Sequence, residues 1–458
     1  MKNIKLIINN LLISRFPKIY LLKSYLKYLI RYKNKFTNQL NNNLTNLNKF
    51  NSHHSIFIPL IETSHYQVHQ ILILAKSLEI RGVKITVLIC DSFLKACELK
   101  SVKTKNFKNA CIKCHFNQKY LIKHYDLNFI KYSTLFSNKE LLKIKKLANK
   151  IYEKNNFNFL YENQNISPAI NDSVNRYYYG GEPENEVERK KIYTEHLNTY
   201  ILGIESSKKI RKKIDPNIIL NNMAVYSSWS PFYDYFRKHD KVNCHTITLT
   251  QFNYNSLIVN VDELVLSNKR FLDFKKLRKD KLTTVEFNEL SNFINKRKSG
   301  DSEIFKDLKF FKKTSKNLLD SLKIDSSKNN IFLFSNIFWD VGQANYSSIY
   351  DGIIHWVLDT ISILSNDPNS HLYIKLHPGE VFDSAKSIKG MRDYIFERFP
   401  KLPRNITLIY PEMKISPYEL FPYIDIGVVY NGTIGLEMAL DNIPVIITGQ
   451  SPYGRLNI

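Results

Sequence analysis

The sequence predicts an α/β protein of two Rossmann-like domains, and three observations carry that expectation. At 458 residues the chain is too long for one small core, and a hydrophobic fraction of 43% is enough to build two. Short apolar runs of strand length alternate with helix-length segments in both halves, which is the signature of parallel sheets wound with helices. At Arg81-Gly82 a glycine stops the first such helix just before the next apolar run.

The elements follow in order. Residues 1–50 form a basic leader and linker, and Lys2–Lys35 interleaves Leu, Ile, Tyr and Phe with Lys and Arg. Such a segment suits a helix lying on an anionic membrane face, or one packed on the first domain. Residues 51–260 read as the N-terminal Rossmann-like domain: a strand at 55–60, a helix at 66–80, a strand at 83–89, a mostly helical stretch over 115–215, then strands at 216–220 and 244–249. A Lys-rich helical bridge covers 261–330. Residues 331–458 read as the second Rossmann-like domain, with strands at 331–335, 371–376, 405–409, 425–429 and 444–447 and helices at about 346–363, 386–398, 417–422 and 432–441 between them. There is no internal repeat, P-loop or GxGxxG fingerprint, which removes support from ordinary ATPase and dinucleotide readings.

Lys and Arg number 66 against 42 acidic residues, a net charge of +24, so the partners expected are anions: nucleotides, phospholipid headgroups, lipid-linked phosphates or nucleic acid. Much of the excess lies in Asn/Lys/Ile-rich stretches such as 33–50 and 137–156 rather than in one focused patch, which argues against nucleic acid. No run of 18 or more apolar residues and no signal-type cleavage pattern occurs, so a cytoplasmic protein is expected, with peripheral contact to the inner membrane face through the leader.

Four of the five cysteines fall at Cys90, Cys97, Cys111 and Cys114. The Cys111/Cys114 pair has zinc-knuckle spacing, and Cys90 with Cys97 would complete four thiolates of a structural zinc site. The Cys90/Cys97 spacing is wide for such a pair, and Cys90 ends an apolar strand where a buried thiol is ordinary.

Three loops at the carboxyl ends of second-domain strands carry the chemistry. Ser335-Asn-Ile-Phe-Trp-Asp340 offers an amide at Asn336, a flat aromatic at Trp339 and a carboxylate at Asp340, or simply a loop with a packed Trp. In Lys375-Leu-His-Pro-Gly-Glu380, Lys375 and His377 alternate to one side of an extended chain that Pro378 restrains, so a cation pair there suits a nucleotide phosphate. In Tyr430-Asn-Gly-Thr-Ile-Gly-Leu-Glu437, Asn431 or Thr433 would cap the following helix while Gly432 admits a ligand to its N–H groups. Glu437 would accept from ribose hydroxyls, or serve only as a first-turn carboxylate.

Together with Ile443-Pro-Val-Ile446 and Gly449, these segments resemble the capsule and surface polysaccharide biosynthesis transferases, a group of GT-B architecture that includes transferases of Kdo type. The likeness is clearest over 330–458 and weaker over 55–115. It implies that the His-Pro loop and the Gly-Thr…Glu helix hold a nucleotide-activated sugar, with a CMP-sugar favoured by the His-Pro motif, and that the first domain takes a polysaccharide or glycolipid acceptor. The loop Glu62-Thr-Ser-His65 would then supply the general base, His65 first and Glu62 as its rival, unless Thr63 or Ser64 merely caps a helix beside a passive His. Arg176 is a candidate clamp for a substrate carboxylate or phosphate. No DxD-like motif closes a strand, in keeping with transfer that requires no metal. A sugar-nucleotide epimerase or a non-catalytic assembly scaffold of the same fold are the alternatives. The chain ends at Tyr453-Gly-Arg-Leu-Asn-Ile458, where transferases of this architecture continue into helices that cross back, so those final helices are expected to be missing.

Overall fold

The computed structural model describes residues 53–62, 67–104, 107–154, 157–221, 224–238, 242–249, 257–261, 281–299, 319–340, 349–382, 386–413, 415–451 and 453–454. The basic leader lies outside them, as does His65. Contacts divide the chain into two compact units. The first comprises residues 1–173, 187–248 and 259–262, and the second comprises residues 174–186, 249–258 and 263–458.

In the first unit, the apolar run Ser55–Leu60 forms β1 and Lys84–Ile89 forms β2, paired in parallel register from Ser55 with Lys84 to Leu60 with Ile89. Both are buried through their last five residues, as expected of strands covered on two faces. The helix between them, Gln67–Ile80, ends at Gly82, whose φ of +100° is the left-handed conformation that lets the Val83 N–H reach back to the Leu78 carbonyl. Further strands are β3 (Asn128–Lys131), the short hairpin β4 (Leu160–Tyr161) and β5 (Gln164–Asn165), β6 (Ile218–Asn221), β7 (Asn243–Leu249) and β8 (Leu257–Val261). The sheet runs in the order β3-β2-β1-β6-β7-β8. Winding therefore proceeds outward from β1 in one direction and from β6 in the other, so the order reverses between β1 and β6.

The stretch over 115–215 is helical at Asn138–Lys154, Ser167–Tyr178 and Glu186–Ile214, but β3 interrupts it. Asn128-Phe-Ile-Lys131 has only two apolar residues, adjacent to each other, so no alternation shows in the sequence.

The second unit holds a five-stranded parallel sheet: β9 (Asn329–Phe334), β10 (Ser370–Lys375), β11 (Ile406–Ile409), β12 (Ile426–Val429) and β13 (Val445–Ile447), in the order β11-β10-β9-β12-β13. Each falls within two residues of its predicted strand. One sheet face packs under the helix Ile353–Leu364, whose Trp356, Val357 and Ile361 are fully buried against Leu333, Leu372, Ile374 and Tyr430. The other face buries Phe332 and Tyr373, stacked at 4.6 Å between ring centres, beneath Ile415, Leu420 and Met438. Apolar surface removed from water on both faces, at roughly 25 cal/mol per Å², holds the layers together.

Among the described residues no three His, Cys, Asp or Glu side chains are grouped as metal ligands, and none of the five cysteines forms a disulfide. Cys111 and Cys114 sit three residues apart on the helix Phe107–Tyr125, where one helix turn accounts for their spacing. No described helix is long and apolar enough to cross a membrane.

Candidate active site

The winding of the second sheet reverses between β9 and β12, and open α/β sheets bind ligands at the carboxyl ends of strands at such a reversal. All three chemistry-bearing loops emerge there, on the adjacent strands β10, β9 and β12. The Asn336 amide donates from Nδ2 to Asn431 Oδ1 at 3.0 Å, bridging the loops after β9 and β12 across the reversal. Ser335 joins the loops after β9 and β10: its N–H donates to the Lys375 carbonyl at 3.0 Å, and its Oγ accepts the His377 N–H at 3.0 Å.

Lys375 is the last residue of β10 and is 4% exposed; burial pulls its pKa down to about 8. His377 Nδ1 accepts the Gly379 N–H at 3.0 Å, so the neutral ring carries its proton on Nε2. Burial, assisted by the Lys375 charge, lowers the His377 pKa to about 4. The expected cation pair is thus corrected: at neutral pH the site holds one cation, Lys375, beside a neutral imidazole N–H donor. Two charges side by side under the protein surface would each raise the cost of desolvating the other. Pro378 opens a 3₁₀ turn, Pro378–Val381, for which His377 is the N-cap.

The capping expected of Asn431 and Thr433 is also corrected. Thr433 stands at the N-cap of the helix Ile434–Leu440 but makes no side-chain cap hydrogen bond, and Asn431 Oδ1 is taken by Asn336. Glu437 is engaged within the protein: Arg297 Nη2 lies 2.6 Å from Oε1 and the Tyr418 hydroxyl donates to Oε2 at 2.7 Å. Arg297 comes from Thr284–Lys298, in the stretch read from sequence as a bridge.

Trp339 and Asp340 are held by residues far away in sequence. The Trp339 indole N–H donates to Ser387 Oγ at 2.8 Å, and its ring lies 4.5 Å from that of Tyr179. Asp340 Oδ1 pairs with Arg176 Nη1 at 2.8 Å. The Ile388 N–H reaches the Tyr179 carbonyl, and the Tyr394 hydroxyl reaches that of Gly180. Arg176 was legible only as an anion-binding residue type, whereas in the fold its partner is Asp340.

Sequence reasoning passed over Glu380, which follows the His-Pro-Gly turn. It is 7% exposed, Oε2 accepts the Met391 N–H at 2.9 Å, and among the described residues Oε1 has no hydrogen-bond partner. Burial first, then the negative charges of Asp393 and Glu412, raise its pKa to about 7. A glutamate just after a turn looks like a solvated surface residue, so only its burial reveals it.

In the first unit Glu62 follows β1 at the β1/β6 reversal and is 5% exposed. The same sheet edge carries left-handed backbone at non-glycine residues: Asp91 and Ser92 after β2, and Ala224 and Tyr226 after β6. Bulky residues are rarely held there unless the surroundings impose it, and such positions concentrate at functional sites. The loop after β2 also borders a cavity of about 500 Å³ lined by Phe93, Leu141, Lys145, Asn149, Lys191 and Glu195 among others.

No protein-family model matches the chain, and no curated protein matches it by sequence. Among solved structures it is similar to two transferase structures of Thermosulfurimonas dismutans KpsC. The β-Kdo 2,7 transferase shows 12% identity over 54% of this chain and 70% of that one, with a TM-score of 0.33. The β-Kdo 2,4 transferase shows 14% identity over 52% and 71%, with a TM-score of 0.36. It is also similar to UDP-GlcNAc 2-epimerase from Neisseria meningitidis, at 10% identity over 86% of this chain and 82% of that one, with a TM-score of 0.21. Values this low assign no activity.

Proposed function

We propose that the chain is a glycosyltransferase whose second unit binds a nucleotide-activated sugar and whose first unit receives the acceptor. The observation that carries this reading is the meeting of the loops after β9, β10 and β12 at the reversal of the second sheet, with Lys375 ending β10 and His377 on the loop that follows it. Lys375 would face the phosphate, and the His377 Nε2–H would donate to a phosphate oxygen that gains charge as the sugar leaves. A fixed neutral donor needs no reorganisation at that moment, and its low pKa keeps it in one protonation state across the physiological range. Asn336, Asn431, Gly432 and Thr433 would line the remaining edge with Trp339 and Asp340, while Pro378 fixes the turn that carries His377. Glu437 would reach a ribose only by exchanging its Arg297 and Tyr418 contacts.

A CMP-activated sugar is the donor favoured by the His-Pro resemblance, and a capsule or surface polysaccharide, or its glycolipid precursor, is the acceptor favoured by the same resemblance. In the first unit, Glu62 at the β1/β6 reversal is the described candidate for the base that takes the acceptor proton. His65 is its rival and lies outside the described residues. Membrane contact through the leader belongs to the same proposal, as does a cytoplasmic location.

The test is donor consumption by the purified chain, with CMP-, UDP- and GDP-sugars offered separately and released nucleotide measured. Release of CMP that is lost in Lys375→Ala supports the transferase reading. Binding of a nucleotide without turnover turns it into a non-catalytic scaffold, and interconversion of the free sugar nucleotide turns it into an epimerase.

A further inference from the structure

The first unit carries a surface that the proposed transfer does not use. The helices Asn138–Lys154 and Glu186–Ile214 and the loop after β2 enclose the cavity of about 500 Å³. Phe93, Leu141, Leu142 and Leu202 give it an apolar wall, and Lys95, Lys145 and Lys191 give it cations. The loop after β2 is pinned: the Asp91 carboxylate accepts the Ser133 N–H at 3.2 Å and the Ser133 hydroxyl, and the Asp91 N–H donates to Gln118 Oε1 at 2.9 Å. Phe93 stacks on Tyr132 and Phe136, at 5.4 and 6.2 Å between ring centres, so this wall is preformed. None of the three lysines makes an ion pair or a side-chain hydrogen bond among the described residues. Glu195 is the one acid on the wall among the described residues; burial, outweighing the charges of Lys191, Lys100 and Lys95, raises its pKa and so lessens its opposition to an anion.

Beside the cavity, the helix Asn138–Lys154 buries Ile144, Ala148 and Ile151 and turns Lys139, Lys143, Lys146 and Lys150 to solvent at steps of three and four, one above another. Like charges at that spacing cost a helix stability. The helix's own acids do not offset the row, since Glu140 pairs with Lys209 at 2.6 Å and Glu153 with Lys190 at 2.8 Å, both on the other helix. Leu142 stands between the row and the cavity, lining the cavity while 61% exposed. An apolar wall, an exposed leucine and a row of cations together complement an amphiphile with an anionic head, whereas a nucleic acid would leave the leucines and Phe93 unmatched. We propose that this face docks the protein on a membrane surface carrying anionic phospholipid, with headgroup phosphates along the Lys139, Lys143, Lys146 and Lys150 row and the cavity taking the head and first acyl carbons of one lipid. Stable attachment takes two signals, and the basic leader and this face would supply one each. The contact involves no residue of the second unit, so it stands or falls without the nucleotide reading.

The test is sedimentation of the full chain with vesicles of phosphatidylcholine, with and without phosphatidylglycerol. Lys143→Gln, Lys146→Gln and Lys150→Gln together remove the charge of the row while keeping good helix formers, and the same three positions changed to Arg keep the charge. Wild type should bind only the vesicles that contain phosphatidylglycerol, and less as salt is added. The Gln triple variant should lose about tenfold or more in affinity with its melting temperature held, the Arg triple variant should bind as wild type, and Leu142→Gln should show a smaller loss. Monomeric dihexanoyl phosphatidylglycerol reads the cavity alone: it should bind wild type and lose affinity severalfold in Lys145→Gln. Vesicle binding unchanged in the Gln triple variant, but lost when the Lys and Arg residues of the leader are replaced by Gln, would put the whole contact in the leader and overturn the proposal. A wild-type chain that unfolds cooperatively and binds no vesicle overturns it as well. So does inorganic phosphate competing as well as the short-chain lipid, which would make the cavity a simple anion site, or a single-stranded oligonucleotide binding the row as tightly as the vesicles do.

Discussion

The two sheets are wound alike, each reversing its strand order next to its first strand, but their carboxyl edges are built differently. In the second unit, the segments leaving β9, β10 and β12 are tied to one another within a few residues of the strands, through Ser335 to His377 and Asn336 to Asn431. In the first unit, β2 is followed by left-handed backbone at Asp91 and Ser92, and β6 by the same at Ala224 and Tyr226. The second edge is thus fixed by side chains adjacent in sequence to its strands, and the first by a backbone that the surrounding packing must hold. A preformed edge with a buried cation is the kind that would suit an invariant group such as a nucleotide phosphate, as proposed above.

The largest expected effect that sharpens this contrast is on ligand binding. Lys375→Met should abolish nucleotide binding, an effect of about 2.7 kcal/mol in apparent stability at a hundredfold ligand excess. The same variant should unfold at higher temperature than wild type without ligand, because it removes a charge whose burial lowers its pKa to about 8. An unliganded melting temperature equal to wild type would mean that burial of this charge costs the fold nothing.

Packing comes next. Trp356, fully buried against Tyr430 at 5.4 Å between ring centres, supports the strand that leads into the Asn431 loop. Trp356→Ala should cost about 3–5 kcal/mol in denaturant unfolding and weaken nucleotide binding with it. Gly180 has φ of +79° and no room for a Cβ, which would stand 2.6 Å from Phe338 and 2.7 Å from the Lys389 carbonyl. Gly180→Ala should destabilise by about 1–3 kcal/mol, read by thermal unfolding, and should move Trp339 fluorescence through Tyr179. Unchanged fluorescence would detach the 174–186 segment from the site.

Smaller effects lie in the pH dependence. Folding raises the Glu380 carboxyl to about 7, so the folded chain keeps a proton that the unfolded chain releases; this contribution is present in full below the ordinary carboxylate range and is lost as pH rises toward and past 7. His377 acts at the other end: its lowered pKa adds stability above the ordinary imidazole range that disappears as pH falls toward about 4. The melting temperature of Glu380→Gln minus that of wild type should therefore grow between about pH 5 and about pH 8, and a flat difference would place Glu380 in a more solvated setting.

The parallel strands were legible because each carries a short apolar core, Ile331–Phe334 in β9, Leu372–Ile374 in β10 and Val428–Val429 in β12, and their loops because Lys375 ends β10 with His377 two residues on and Gly432 lies three residues past β12. The contacts of Arg176 with Asp340, Arg297 with Glu437 and Tyr179 with Trp339 join residues 160 or so, 140 and 160 positions apart, and no local periodicity encodes such pairings. His377 was read as a cation from its residue type; its charge state follows from burial, which only the fold sets. The Cys111/Cys114 spacing is ambiguous for a related reason, since a three-residue step is shared by a zinc knuckle and a helix turn.

The most direct test of a nucleotide site at the second sheet is thermal unfolding of the chain with CMP, CDP, UDP and GDP, beside His377→Ala. The account predicts that one nucleotide, CMP foremost, raises the unfolding temperature of wild type and leaves the variant unmoved. A cooperative transition that no nucleotide shifts, or one shifted equally in His377→Ala, would contradict it.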